Sequence, residues 1–192
     1  MSAARVAGRL SAISKFWESL DVGFKKQLQD NPNSIIRLLN IKGPDLLSKL
    51  VCSVIDRHYD HNMHTFTFSS HVLGVTLEDV LYLTGLPIQG KPVIYDKSLD
   101  KDAFERVFGE KFKGKTQLKF DEVKKIALDV HRPFKVRKIA VLLVMCECFI
   151  SPNNNHHEII SQKVQLVEKV DDIDFYAWGE ALLSYLYHGL EI

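Results

Sequence analysis

The sequence predicts a mainly α-helical, single globular domain with one small β-hairpin, and three observations carry that prediction. Apolar residues recur at helical spacing through most of its 192 residues. One short stretch, Thr65 to Ser69, alternates apolar and polar side chains instead, which is the period of a half-buried strand. A hydrophobic content of 46% over this length also suits one sizeable core. We divide the chain into an N-terminal helical extension, 1–20, and a helical domain, 21–192.

In chain order, Arg9 to Leu20 carries Leu10, Ile13, Phe16, Trp17 and Leu20 on one face of a helix. Gly23 opens a short helix through Gln29, Asn31-Pro32-Asn33 breaks it, and Ser34 begins a third with Ile35, Ile36, Leu38 and Leu39. Pro44 in a first turn launches a longer helix to about His58, with Leu47, Leu50, Val51 and Val54 inward. Gln89 to Asp100 is a looser polar segment, with Val93-Ile94-Tyr95 a candidate extended piece. Asp102 to Phe108 is a helical turn or two, and Gly109 to Thr116 a Lys/Gly linker into a helix over 120–130. Pro133 resets the chain before Val136 to Phe149, apolar nearly all round and therefore the central core helix. Pro152 to Asn155 is a loop, Ile159 to Val170 is open between strand and helix, and Tyr176 to His188 closes the chain.

Between the fourth helix and the polar segment lies the most punctuated unit. Phe66 and Phe68 share one strand face, Ser69, Ser70 and His71 turn the chain, and Val72, Leu73 and Val75 return it. Thr76 then caps a helix by accepting from the Asp79 N–H, with Glu78 and Asp79 in the dipole-favoured first turn. Leu77, Val80, Leu81 and Leu83 are expected inward, Gly85 supplies the left-handed residue at the end, and Pro87 forbids continuation.

A net charge of +1 gives no global attraction to nucleic acid or membrane. Charge is nevertheless polarised. Glu110 to Lys138 holds ten lysines and arginines against four acids, while Ile139 to Ile192 holds two lysines against eight acids. The plain reading is two solvated faces that neutralise each other. The functional one is a nucleic-acid or partner contact through Lys124, Lys125, Arg132, Lys135, Arg137 and Lys138. Phe112, Phe120 and Phe134 among these lysines are better core anchors than a stacking platform. Arg132 with Lys135 to Lys138 is also a low-specificity match to a nuclear import signal. The first seventeen residues, basic and without acids, fit a loosely held helix better than an organelle transit peptide.

The candidates for chemistry are few. His58, His61, His64 and His71 cluster with Asp56 and Asp60, but they straddle a helix end and a strand start and lack a fixed H-E-x-x-H pair. Exposed loop histidines are the expectation, as for His156-His157, and no metal is expected. Cys52, Cys146 and Cys148 are an odd count in apolar runs, which suits buried thiols in a reducing compartment. Glu78 and Asp79 diverge by about 100° around a helix axis, too far to work as a catalytic pair. No nucleophile elbow, phosphate loop or dinucleotide fingerprint is present, and the longest apolar run, Ile139 to Cys146, falls short of a membrane span.

Two ordered blocks carry a resemblance. Thr65-Phe66, Thr76-Leu77-Glu78-Asp79-Val80, Leu83-Thr84-Gly85-Leu86-Pro87 and Gly90 form the first; Tyr176-Ala177-Trp178-Gly179, Leu182-Leu183 and Tyr185-Leu186 form the second. Together they resemble the plant mobile domain, also called aminotransferase-like, over roughly residues 20 to 190. A related plant domain found beside SUMO-protease modules in transposons shares the first run. The family often has Gly-Glu at the hairpin turn, where this chain has Ser70-His71 and a shifted Gly74. No lysine here sits in a pyridoxal-phosphate context, so the aminotransferase label carries no chemistry and no cofactor is expected. The motif residues Phe66, Thr76, Asp79, Gly85, Pro87, Trp178 and Gly179 are expected to be structural, with Trp178 buried and Gly179 small for a close approach.

The resemblance implies a nuclear plant protein from a lineage shared by transposable elements and host genes. Its members are linked to transposon silencing and gene expression, sometimes alongside Ser/Thr phosphatases. The expected function is therefore a non-catalytic interaction module with a protein partner and no membrane contact. One rival is a nucleic-acid-binding module of a transposon-derived protein using the basic 111–138 region, with weak binding. The other is an enzyme with a site at the histidine cluster.

Overall fold

A segment apolar on all sides has to be enclosed on all sides, and Val136 to Phe149 sets the architecture that way. The computed structural model describes residues 10–30, 32–40, 48–96, 98, 100–150 and 158–190. Its elements are α1 (Leu10–Ser19), α2 (Val22–Asp30) and α3 (Ser34–Arg37), the last extended by a 3-10 turn, Leu38–Asn40. Next come α4 (Ser48–His58), β1 (Tyr59–Asp60), β2 (Thr65–Phe68), β3 (His71–Leu73) and α5 (Leu77–Thr84). After the polar segment follow α6 (Ala103–Phe108), β4 (Gln117–Lys119), α7 (Phe120–Leu128) and α8 (Phe134–Met145). The chain ends with β5 (Glu158–Ile160), α9 (Val164–Val167), a 3-10 stretch Val170–Phe175 and α10 (Trp178–Leu190). The fold is mainly α with minor β, as the sequence predicts.

Helix α8 is the hub. From Ala140 to Met145 every residue is fully buried, because α3, α6, α7, α9 and the 3-10 stretch surround it. It then widens into a π-helical turn, Cys146–Ile150, which turns Cys146, Glu147 and Cys148 all inward. Burial pushes the Cys146 thiol up to about 12, the property of an inert core residue. Glu147 is compensated by an equally buried Lys163 at 2.5 Å. The face of α1 made by Ile13 and Phe16, with Leu20 just beyond it, belongs to this same core.

The β content exceeds a single hairpin. Helix α4 runs straight into β1, so the first sheet has three antiparallel strands in the order β1-β2-β3, with Tyr59 opposite Phe66. The ambiguous 159–170 segment divides into β5, paired antiparallel with β4, and the short α9. The hairpin loop is Ser69-Ser70, with Ser69 in the left-handed region (φ 51°) and His71 already in β3. The Gly109–Thr116 linker is partly structured, since Phe112 in a 3-10 turn is a buried anchor. The expected start of α4 at Pro44, the side chains of Leu10, Leu47, Leu50, Val51 and Cys52, and the 152–155 loop with His156-His157 lie outside the described residues.

Helix α5 is punctuated as its residues dictate. Thr76 Oγ1 accepts from the Asp79 N–H, the Asp79 carboxylate accepts from the Thr76 N–H at 2.8 Å, and Gly85 closes with φ 69°. Its expected inward face needs correction. Val80 is buried, but Leu81 is 37% and Leu83 77% exposed, because α5 touches the rest of the molecule along one narrow line against α10. On the closing helix the sequence sends Leu182, Leu183 and Leu186 to the core, but Leu186 is 39% exposed.

The two motif blocks meet backbone to backbone. Lys91 N–H donates to Phe175 C=O (2.7 Å), Ala177 N–H to Lys91 C=O (2.9 Å) and Gly179 N–H to Pro87 C=O (2.8 Å). Trp178 is fully buried and its indole N–H donates to Ile173 C=O at 2.6 Å. A Cβ on Gly179 would stand 2.9 Å from Ile88 Cγ2 and 3.1 Å from Pro87 O. On Gly90, held at φ 140°, it would stand 2.4 Å from the Phe175 carbonyl oxygen.

Gly90→Ala is therefore expected to destabilise more than Gly179→Ala, since its Cβ would meet a clamp carbonyl at 2.4 Å, whereas on Gly179 the tightest neighbour is a movable methyl at 2.9 Å and the carbonyl stands at 3.1 Å. The expected costs are about 3 kcal/mol or more against about 1–3 kcal/mol. Trp178→Ala should cost about 3–5 kcal/mol. Urea unfolding of the three variants checks the order, and equal midpoints for Gly90→Ala and wild type would refute the clamp.

Candidate functional site

Two surfaces compete: the basic segment singled out by charge, and the apolar surface left open around α5. The fold takes the basic segment apart. Arg137 and Lys138 lie in the first turns of α8 and are buried at 6% and 9% exposure. Arg137 donates from Nε to Ala127 C=O (2.8 Å), pairs with Asp21 (2.5 Å), and lies 3.9 Å above the Phe24 ring. It fastens α2 to the α7–α8 corner. Lys138 faces Asp171 and Asp174; burial lowers its pKa and those acids oppose the shift. Both are corrections to the expected contact patch, because the helix that carries them is the one the core encloses.

Of the others, Lys124 is half-buried over Phe120 and pairs with Asp121 at 2.6 Å. Arg132 donates to Phe108 C=O (2.9 Å), pairs with Asp129 and stacks near Phe112. Lys125 and Lys135 are exposed. Phe112 and Phe120 are buried core anchors, while Phe134 is 38% exposed, with its ring edge-on to Phe24. The six candidates thus split into two buried, two tethered and two exposed residues.

The histidines do not converge. His58 stacks on Phe68 at 4.6 Å and donates to Thr67 C=O, His61 meets Tyr59 edge-on, and His64 shares a hydrogen bond with the Tyr59 hydroxyl at 3.1 Å. Among the described residues no group of three or more His, Cys, Asp or Glu is placed to hold a metal. Aromatic rings pack against His58, His61 and His64.

What the sequence did not flag is an apolar surface on the hairpin, α5 and the end of α10. Met63 (70% exposed), Val72 (64%), Leu73 (57%), Tyr82 (85%) and Leu83 (77%) stand in solvent there. Beside them an open cleft of about 670 Å³ runs between the sheet and α10, with His64, Gly74, Val75 and Tyr187 on its walls. The Tyr187 hydroxyl donates to Val75 C=O at 2.6 Å and ties the two walls together. Exposed leucines on α5 could be found in the sequence only by noticing that Leu77, Val80, Leu81 and Leu83 span too wide an arc for one buried stripe. Among the described residues no helix is long and apolar enough to cross a membrane.

If Arg137 is structural, Arg137→Ala should cost about 2–4 kcal/mol by leaving a buried carbonyl and an ion-pair partner unsatisfied, while Lys125→Ala stays within about 0.5 kcal/mol. The Arg137 hydrogen bond lowers the Asp21 pKa. The unfolded chain therefore takes up this proton first as pH falls. The stability gap between wild type and Asp21→Asn should be full at neutral pH and close as pH drops below about 4. Thermal melts across that range check both, and a gap that widened in acid would refute the pairing.

Comparison with known proteins agrees with the two blocks. Residues 35–192 match the model of the plant mobile domain. Protein MAINTENANCE OF MERISTEMS of Arabidopsis thaliana is 27% identical over 155 residues, which is 74% of this chain and 32% of that protein. Protein MAIN-LIKE 2 of the same plant is 28% identical over 163 residues, 80% of this chain and 24% of that protein. The chain thus spans a third or less of the length of these relatives, and no solved structure matches it. With most of its length covered by the family match, and both blocks joined in one clamp, the chain belongs to the plant mobile domain family.

Proposed function

We propose that this chain is a protein-recognition module without catalysis of its own, acting in the nucleus, with the hairpin–α5–α10 surface as its binding face. The observation that carries the reading is the exposure of Val72, Leu73, Tyr82 and Leu83 on neighbouring elements. Large apolar side chains held in water cost solubility, and a domain that keeps several of them there usually has a partner for some of them. The family resemblance supplies the setting: silencing of transposable elements and gene expression, with a Ser/Thr phosphatase among the candidate partners. Leu73→Asp with Leu83→Asp should abolish partner capture in proximity labelling from plant nuclei while leaving the melting temperature within a few degrees. Retention of the same partners by the double variant would sink the reading.

A nucleic-acid role is the second reading, favoured by the exposure of Lys111, Lys113, Lys119, Lys125 and Lys135. With Arg137 and Lys138 enclosed, these lysines support only non-specific contact. Dissociation constants no tighter than about 10⁻⁴–10⁻⁶ M are expected at physiological salt. Fluorescence anisotropy at two salt concentrations measures this. Nanomolar, sequence-selective binding would put the nucleic-acid reading first.

A further inference from the structure

From the free edge of the small sheet we infer that the partner binds as an added β-strand: an extended segment with alternate apolar residues, and Lys or Arg at one end, pairs with β3. This rests on the recognition reading above and specifies its chemistry. The sheet order β1-β2-β3 leaves β3 at the margin. The two-residue loop makes Phe68 and His71 a hydrogen-bonded pair, so Thr67 opposite Val72 is the non-bonded pair of the ladder. The N–H and C=O of Val72 therefore point away from β2, and among the described residues neither has a backbone partner beyond the sheet. An unpaired donor and acceptor side by side on a strand are what another strand satisfies.

Apart from its three-residue length, β3 lacks the devices that normally blunt such an edge. His71, Val72 and Leu73 include no proline, no lysine and no charge turned inward, and Val72 and Leu73 are more than half exposed. Beyond them Gly74 leaves the approach clear, with its nearest neighbours at 3.9 Å and 4.0 Å being Thr65 Cγ2 and the Tyr187 hydroxyl. The cleft begins there, bounded by Gly74, Val75 and Thr76.

Charge sets one end of the incoming segment. Just beyond β3 the first turn of α5 carries the exposed carboxylates Glu78 and Asp79, whereas Asp56 and Asp60 lie on α4 and β1, at the opposite side of the sheet. The capping bonds from Thr76 hold the Asp79 carboxyl below the usual range, so it is ionised at any physiological pH. A three-residue edge offers few main-chain bonds, so Lys or Arg at that end adds both affinity and register.

The test uses the full chain and phage-displayed random peptides as the probe. Selected sequences should alternate apolar residues, carry Lys or Arg at one end, and lack proline. Synthetic copies should bind more weakly as salt rises. Val72→Pro removes the outward N–H without touching the β2 ladder, and should weaken binding about tenfold or more. Because that variant risks loosening the hairpin, hydrogen exchange on the wild type supplies a second readout: the Val72 amide should slow when peptide is bound. Selected peptides with helical i, i+3, i+4 spacing, or with proline-rich cores, would overturn strand addition. So would an unprotected Val72 amide, or a chain that selects nothing and self-associates in light scattering. If Leu73→Asp with Leu83→Asp abolishes partner capture while Val72→Pro leaves peptide binding intact, the recognition module stands and the added strand falls. If neither change matters, both readings fall.

Discussion

The placement of α5, α10 and the small sheet depends on one arrangement, the main-chain splice between 87–91 and 175–179. Three backbone hydrogen bonds join segments distant in sequence, and they form only because Gly90 and Gly179 let two backbones approach within the space of a methyl group. The splice sets where α10 begins and fixes α5 alongside it. Through the Tyr187 bond to Val75 it also positions the small sheet. The hairpin is thus placed by its connection to α10 as much as by its contact with α4.

Part of the chain's charge is paired across the fold, while Lys111, Lys113, Lys119, Lys125 and Lys135 of the basic segment stay exposed. Glu147 neutralises Lys163 in the core, Arg106 bridges Asp100 and Glu168, and Lys138 sits in the field of Asp171 and Asp174. Asp174 also accepts from the Ser34 N–H at 2.7 Å, doing for α3 what Asn33 does not do with its own side chain. Such groups are set by tertiary neighbours, which a running sum along the sequence does not see. The lysines that remain outside are scattered, and scattered surface charge steers without specifying.

Local signals were legible because their physics is local. The Thr76–Asp79 box, the left-handed Gly85 and the all-apolar α8 each require only neighbours in sequence, and each is found where the residues demand it. Trp178 and Gly179 were legible for a different reason: a large indole beside a glycine has few uses other than close packing. The misses are long-range. A two-residue β1 has no periodicity to detect, and β5 exists only because β4 lies beside it. The outward Leu83 and Leu186 lie outside the core, so a rule that sends leucine inward fails there. Arg137 misleads in the same way, because a guanidinium over Phe24 with a buried carbonyl looks, in sequence, like any basic residue in a cluster.

The splice also carries a consequence for how the chain comes into being. A ribosome delivers the 87–91 strap long before Trp178 and Gly179 leave the exit tunnel, and the strap's carbonyls have no partner in the interval. The core around α8 can collapse early, but closure waits until residues 175–179 are synthesised and carries the entropic penalty of joining distant segments. A transcript truncated before that stretch yields a chain that collapses without closing, with the seat of Trp178 standing empty in the core. Only a chain that includes 175–179 can close the splice.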